Sequence, residues 1–400
     1  MLKLLVKPDN TFLTQIIYEG ILALTYYNRD RAQTSIDHIE LPHDAFRRLF
    51  ELIKNDEKQY EKILQTKIIF VGNDRKHKLP LKILRSLGID PGDIDIGTYG
   101  ELGKVLIENL SHIPDLKDST LTYKISKGSI IISNDTKYIA APQLFKVDRY
   151  TGYTSLDKDT MYKQFVLRSS PTWLLIGIIG VISSYMSSFG NTHYFIFLSP
   201  DEIIETIAKN DPNYIYNVFS MKQYILDRLK EILETYVPEE VVILSALLDL
   251  NLINELRRNE LDYISFQIYR VVVEGNTYKV YNTTTLTIYS RPYYLDVIEH
   301  MVRNSEKIIE ILSEALSGRS VIIRALRSLA YDNVYPEANH VLSGIHELYR
   351  LITFGDPNGF YGFLRELETA CKVLEAKDDS ASKARLKQYK RILNNISKYI

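Results

Sequence analysis

The segment GNDRKHKLPLKILRSLG, residues 72 to 88, gathers cations where the chain turns into a helix. Arg75, Lys76, His77 and Lys78 fall in a loop that follows a strand, and Pro80 then opens a short helix carrying Lys82 and Arg85. Free backbone amides and the helix dipole favour anions at such an end, and lysine and arginine side chains add direct contacts to phosphate oxygens. The chemistry this pattern supports is binding of a nucleic-acid backbone; an ordinary solvated loop is the other reading of the same residues. A second candidate lies at the C-terminal end, where Lys383, Lys387, Lys390, Arg391 and Lys398 share one face of a helix and Leu386, Tyr389, Leu393, Ile396 and Ile400 the other. No acid follows Asp379, although a docked helix with a solvated basic face also explains the pattern. Arg149-Tyr150, Arg257-Arg258 and Arg324 with Arg327 are weaker cationic signals that would extend a groove.

Catalytic chemistry finds less support. His43-Asp44 is an HD pair of the kind that metal-dependent phosphohydrolases use, but further His and Asp ligands at a recognisable spacing do not follow, and Asp44 as the N-cap of a helix is the simpler reading. His340 and His346 lie six residues apart and do not share a helix face as a zinc-binding H-E-x-x-H pair would. The sequence has no G-x-x-x-x-G-K-[ST] loop, no dinucleotide fingerprint and no G-x-S-x-G elbow. With Cys371 as its single cysteine, it forms no intramolecular disulfide and no cysteine-based zinc site. A binding protein without catalytic residues, metal or cofactor is therefore expected.

The elements that must position these residues are legible in outline. TFLTQIIYEGILALTYY, residues 11 to 27, reads as a mostly buried helix, and 44 to 64 as an amphipathic one. TKIIFVG, 66 to 72, reads as a buried strand. Short alternating strands follow between 119 and 145, with Lys127-Gly128 and Asn134-Asp135 as turn signals. Helices are expected near 201 to 209 and 218 to 235, and the apolar run at 241 to 250 fits helix or strand. Residues 262 to 290 form two strands around a turn at Glu274-Gly275-Asn276. From Tyr294 onward the pattern is helix after helix, with breaks near Gly318, Pro336, Gly355-Asp356-Pro357 and Asp378-Asp379. The expected fold class is α+β, with a mixed α+β domain over 1-165, a central α+β region over 166-292 and a C-terminal helical bundle over 293-400.

The most apolar stretch, RSSPTWLLIGIIGVISSYMSSFGNTHYFIFLSP from 168 to 200, raises the question of a membrane anchor. Its uninterrupted apolar run, Trp173 to Ile182, is about half of the roughly 20 residues a bilayer-spanning helix needs. A buried helix over 171 to 189 is expected instead, with Gly177, Gly180, Ser184 and Ser187 on a small face that admits a close neighbour, followed by a strand at HYFIFLS. The whole chain of 400 residues is 45% hydrophobic with a formal net charge of −1, so any polyanion site must be a local patch. No signal peptide is expected from MLKLLVKPDN, and a reducing cytoplasm suits the cysteine usage. Twenty-nine tyrosines beside scarce cysteine and methionine are a balance found in proteins of hot environments.

The sequence resembles the large subunit of archaeal subtype I-A CRISPR interference complexes (Cascade). The likeness rests on KPDNTFLTQIIYEGILAL near the start, the glycine-punctuated WLLIGIIGVISSY followed by HYFIFLSP, and the late helical region. Some related large subunits carry a Cys-x-x-Cys zinc insertion, which a chain with Cys371 alone lacks. The resemblance implies a non-enzymatic subunit of a crRNA-guided surveillance complex, placed at the crRNA 5′ end, that engages the protospacer-adjacent duplex and helps open the target DNA. Its implied partners are crRNA, target DNA, the backbone, crRNA-end-binding and small subunits, and the helicase-nuclease; no membrane is among them. An HD-type metal-dependent nuclease and a membrane-associated structural protein are the alternatives from other classes.

Overall fold

Thr11 opens the first long helix. Its backbone is extended (φ −84°, ψ 140°) and its hydroxyl accepts the Thr14 N–H, so the chain winds into helix Phe12–Tyr27, nearly all of it buried. Ser170 caps a second buried helix, Pro171–Ser184, in the same way, with Pro171 in its first turn. The two helices meet backbone to backbone. A Cβ on Gly20 would land on the Ile176 carbonyl and one on Gly180 on the Ile16 carbonyl, so each helix supplies the glycine that lets the other approach. Gly177 faces the Phe145 ring, 2.5 Å from where a Cβ would sit.

These observations belong to the computed structural model of the chain, which describes residues 1–92, 94–126, 129–133, 135, 137–150, 166–233 and 237–400. The turn signals at Lys127-Gly128 and Asn134, and the side chains of Arg149-Tyr150, lie outside the described residues.

The fold is α+β. Two compact units share the chain: Met1–Gln223 with Ser265–Thr285, and Tyr224–Ile264 with Leu286–Ile400. Residues 166 to 292, expected as a region of their own, are divided between the units: 166–223 and 265–285 belong to the first, 224–264 and 286–292 to the second.

In the first unit, one sheet has the order Gln33–Ser35, His38–Glu40, Leu2–Leu4, Ser119–Leu121, and a second has Tyr123–Ser126, Ser129–Ile132, Val166–Ser169, Ile139–Ala140. Both are antiparallel apart from the parallel pairs Leu2–Leu4 with Ser119–Leu121 and Ser129–Ile132 with Val166–Ser169. The long hairpin of strands Tyr263–Glu274 and Thr277–Tyr289 joins strands Thr192–Leu198 and Tyr185–Phe189 in a third sheet.

Three expectations need correction here. The apolar helix ends at Ser184, not 189: Tyr185 turns extended (ψ 125°), and Tyr185–Phe189 pairs antiparallel with Thr192–Leu198 around Gly190 (φ 57°). Aromatic residues and a partner strand two residues away outweigh the helical periodicity of the serines, so Ser187 is a strand residue. Residues 44 to 64 form two helices, Ala45–Asn55 and Glu57–Leu64, because Asp56 breaks the first and caps the second by accepting the Gln59 N–H at 3.1 Å. TKIIFVG is not a ladder strand; it makes one bridge, Ile69 to Thr98, and buries Thr66, Ile68, Phe70 and Val71 while Ile69 is exposed.

The second unit is largely helical. The run VVILSALLDL resolves into helices Glu239–Leu247 and Leu250–Arg258, with Asp249 capping the latter. Tyr293–Met301, Ser305–Ala315, Val321–Ser328, Ala338–Phe354, Pro357–Glu375 and Ser380–Ser397 follow, broken near Gly318, Pro336, Gly355-Asp356-Pro357 and Asp378-Asp379 as the sequence predicts, and also at 302–304, where it predicts no break. Gly355 ends helix Ala338–Phe354 in the left-handed region (φ 65°), and Asp356 starts the next by accepting the Asn358 N–H at 3.0 Å. Among the described residues no helix is long and apolar enough to cross a membrane.

Candidate nucleic-acid interface

The cationic segment is carried by a short excursion from the first unit. Before it, residues 66 to 71 are pinned: Phe70 N–H donates to the Gly97 carbonyl at 2.8 Å, Tyr99 N–H to Ile68 at 2.9 Å, and the Phe70 and Tyr99 rings stack at 4.4 Å. The Tyr278 hydroxyl, from the long hairpin, donates to the Ile69 carbonyl. Gly72 then leaves the segment at φ 52°, with Asn276 at the hairpin turn 2.8 Å from where a Cβ would sit, so a side chain is excluded twice. What the sequence predicts as a loop is one helical turn, Asn73–Lys76, followed by Lys78 in the left-handed region (φ 49°) and helix Leu79–Ser86 with Pro80 in its first turn.

The excursion is amphipathic. Leu79, Leu81, Ile83, Leu84 and Leu87 are buried, which turns Arg75, Lys76, His77, Lys78, Lys82 and Arg85 outward. Arg85 lies 3.9 Å from Asp90; Arg75, Lys76, Lys78 and Lys82 form no ion pair among the described residues. Arg75, Lys76, Lys78, Lys82 and Arg85 are thus held on one small, anchored element.

Beside them is a residue the sequence reading passed over. Asp74, within the cationic run, is only 4% exposed, and its Oδ2 accepts the Gln143 N–H at 2.6 Å. Burial pushes its carboxyl up to about 6 despite that bond and the nearby Lys146 ammonium. It lines a cavity of about 540 Å³ between the excursion and the segments 138–146 and Val166. The only sequence signal was an acid embedded among cations, which reads equally well as charge balancing.

The second cationic candidate is helix Ser380–Ser397, begun by Asp379 accepting the Ser382 N–H at 2.7 Å. Tyr389 and Ile396 are buried; Ile400 lies beyond the helix and is 42% exposed, so it does not extend the apolar face. Lys383 pairs with Asp378 at 2.6 Å and Lys390 with Glu375 at 2.7 Å, whereas Lys387 and Arg391 form no ion pair among the described residues. Lys383, Lys387, Lys390, Arg391 and Lys398 lie along one open, solvent-facing surface of this helix and its C-terminal end. This cluster lies in the second unit and the excursion in the first. The weaker cations are engaged locally: Arg257 donates to the Ser290 carbonyl at 2.7 Å, Arg258 pairs with Glu255, Arg324 bonds Gln388 at 2.5 Å, and Arg327 bonds the Gly318 carbonyl at 2.9 Å.

The histidines have local partners too. His43 Nδ1 faces the Leu116 carbonyl at 3.2 Å, and Asp44 stands at the N-cap position of helix Ala45–Asn55 without a side-chain capping bond. Its carboxylate instead takes a two-pronged bond from Arg31, at 2.7 and 3.1 Å. His340 meets Glu366 at 3.0 Å and His346 meets Glu240 at 3.7 Å. Among the described residues no group of three or more His, Cys, Asp or Glu is placed to hold a metal ion.

Compared with known proteins, the chain matches no protein-family model and no solved structure. It is 31% identical over 401 residues to a protein of Archaeoglobus fulgidus described as an uncharacterized protein, with 99% of each chain covered. The similarity runs end to end, and the chain belongs to the family of this archaeal protein.

Proposed function

We propose that this chain is a non-catalytic nucleic-acid-binding protein of the cytoplasm, and that it serves as the large subunit of a type I-A crRNA-guided surveillance complex. In that role it engages the duplex flanking the protospacer, assists unwinding, and works beside crRNA, the other Cascade subunits and the helicase-nuclease. The observation that carries the reading is the anchored excursion with outward-facing Arg75, Lys76, Lys78, Lys82 and Arg85 on a protein of net charge −1. Four of these have no acid to neutralise them among the described residues, which is the arrangement that phosphate contacts require. Lys387 and Arg391 offer a second such surface. The segments behind the Cascade resemblance, Phe12–Leu24 and Trp173–Tyr185, form the buried helix pair and the start of the third sheet, so they speak for the fold behind the surface.

The test is a tagged copy purified from its host, followed by binding of the recovered assembly to flanking duplexes across a salt series. Recovery of a small RNA and the other Cascade subunits is expected. Arg75/Lys76/Lys78→Ala should weaken binding to matched and scrambled flanks alike and lower the slope of log affinity against log salt by roughly 0.9 for each lost phosphate contact. Recovery without RNA, or an unchanged slope, overturns the reading.

A further inference from the structure

The cavity beside the cationic excursion is built differently from a phosphate track. Leu79, Ile139, Ala140 and Val166 give it apolar walls, Tyr138 adds an aromatic one, and Asp74 brings a buried carboxyl to it. Its volume of about 540 Å³ lies within the roughly 300–1,000 Å³ of small-ligand sites. An anionic ligand would not choose a wall with a carboxyl on it, and a purely apolar one would not repay Asp74's burial. A flat heterocycle with N–H donors along one edge satisfies both walls and acid.

We infer that this slot takes one unstacked guanine base of a single strand whose phosphates follow Arg75, Lys76 and Lys78; the inference rests on the nucleic-acid reading above. Gln143 occupies one lone pair of Asp74 Oδ2, and Oδ1 makes no hydrogen bond among the described residues. A carboxylate can accept more than one further bond. Guanine is the base whose Watson–Crick edge offers two adjacent donors, N1–H and N2–H, next to one acceptor, O6. Lys146 lines the same cavity and bears on Asp74 electrostatically, so a cation stands in the slot beside the acid. Thymine and uracil place a carbonyl on each side of their single N–H and would set these against the acid. Cytosine and adenine offer one donor position and rank between. Lys82 and His77 at the rim meet the phosphate of the same nucleotide, and the other cations lie on the same excursion. Single-strand binding with a base on an aromatic wall and cations along the backbone is a general solution.

The experiment uses the full-length chain, labelled pentamers dTdTdXdTdT with each base at X, and fluorescence anisotropy at fixed salt. The dG pentamer is expected to bind at least about tenfold tighter than dT, a difference of about 1.4 kcal/mol. Asp74→Asn, which keeps an acceptor for Gln143, should erase that ratio by weakening the dG pentamer, while the dT pentamer binds no more weakly than before. Ala140 is exposed, so Ala140→Trp fills the slot without removing a buried contact and should do the same. Thermal melts followed by circular dichroism confirm that both variants fold. Arg75/Lys76/Lys78→Ala should weaken all four pentamers equally and keep the ratio. Equal wild-type affinity for all four bases overturns the slot and leaves the phosphate surface standing. A ratio that persists while dT binding ignores the triple variant overturns the phosphate surface and leaves the slot. Guanosine monophosphate is titrated calorimetrically in parallel; no heat from it together with no pentamer binding overturns the slot outright.

Discussion

Asp74 shows how a single side chain changes meaning with burial, and Glu19 with Lys222 shows it more severely. Glu19 is 2% exposed and Lys222 fully buried, and the two form an ion pair between helix Phe12–Tyr27 and helix Pro212–Leu233. Ser183 Oγ donates to the same Glu19 oxygen at 2.6 Å, and Lys222 also reaches the Ser183 carbonyl at 3.3 Å. Burial drags the Lys222 ammonium below the ordinary lysine range, and Glu19 opposes that. Neither partner tolerates isolation in such a setting. Lys222→Met should leave a buried carboxylate without its cation and cost about 3–5 kcal/mol in urea unfolding, whereas the double change Glu19→Leu/Lys222→Met should recover most of it. If the double variant is no more stable than the single, the pair is not what holds the two residues in place. This pair is not legible in the sequence, since nothing local connects positions 203 residues apart.

At the scale of elements, glycine in a helix says little until the facing helix is known. Gly20 and Gly180 let two backbones touch, so even one added carbon meets a carbonyl oxygen that has nowhere to go. Gly88, at φ 85°, has open space around the same position. Gly180→Ala should therefore cost about 2 kcal/mol and Gly180→Leu more, while Gly88→Ala should cost roughly 1 kcal/mol from backbone strain alone. Chemical unfolding of the three variants checks this; equal losses for Gly180→Ala and Gly88→Ala would remove the close approach as the cause. The close neighbour was legible from the small residues of 177 to 184, because their spacing follows the helical repeat. The end of that helix was not, because Tyr185–Phe189 becomes strand only through pairing with Thr192–Leu198. The same holds for TKIIFVG, whose apolar, β-branched residues predict a strand while its partners include a tyrosine hydroxyl, a stacked ring and three backbone hydrogen bonds with Gly97, Tyr99 and Gly100. Of the candidate surface, the exposure of Arg75 to Arg85 was legible from the intervening leucines. The slot beside it was not, since strand Ile139–Ala140 and Gln143 come from elsewhere in the chain.

Over the whole molecule, the pH dependence of stability includes the contributions of a few buried groups whose effects oppose one another. His193 is 4% exposed, its Nδ1 has no partner among the described residues, and burial lowers it to about 4. A depressed base stabilises the fold fully above its unfolded value near 6.5, and that contribution is lost as pH falls towards 4. Glu202 runs the other way. Its Oε2 accepts the Ser265 N–H at 3.0 Å, yet burial raises it to about 7, so its contribution is full below about 4.5 and lost as pH rises through 7. Asp74, raised to about 6, follows Glu202. Between pH 4.5 and 6.5 these groups pull against each other, and substitution should separate them. His193→Phe removes the acid-side loss, so its stability difference between pH 7 and pH 4.5 should be smaller than that of the wild type by about 2 kcal/mol. Glu202→Gln keeps an acceptor for Ser265 and should gain about 2 kcal/mol at pH 8 with no gain at pH 4. Urea midpoints for the three proteins at pH 4, 4.5, 7 and 8 decide it: parallel profiles would mean that neither group titrates differently in the folded and unfolded chain, while a Glu202→Gln gain confined to high pH, beside a flattened His193→Phe acid limb, fixes both signs.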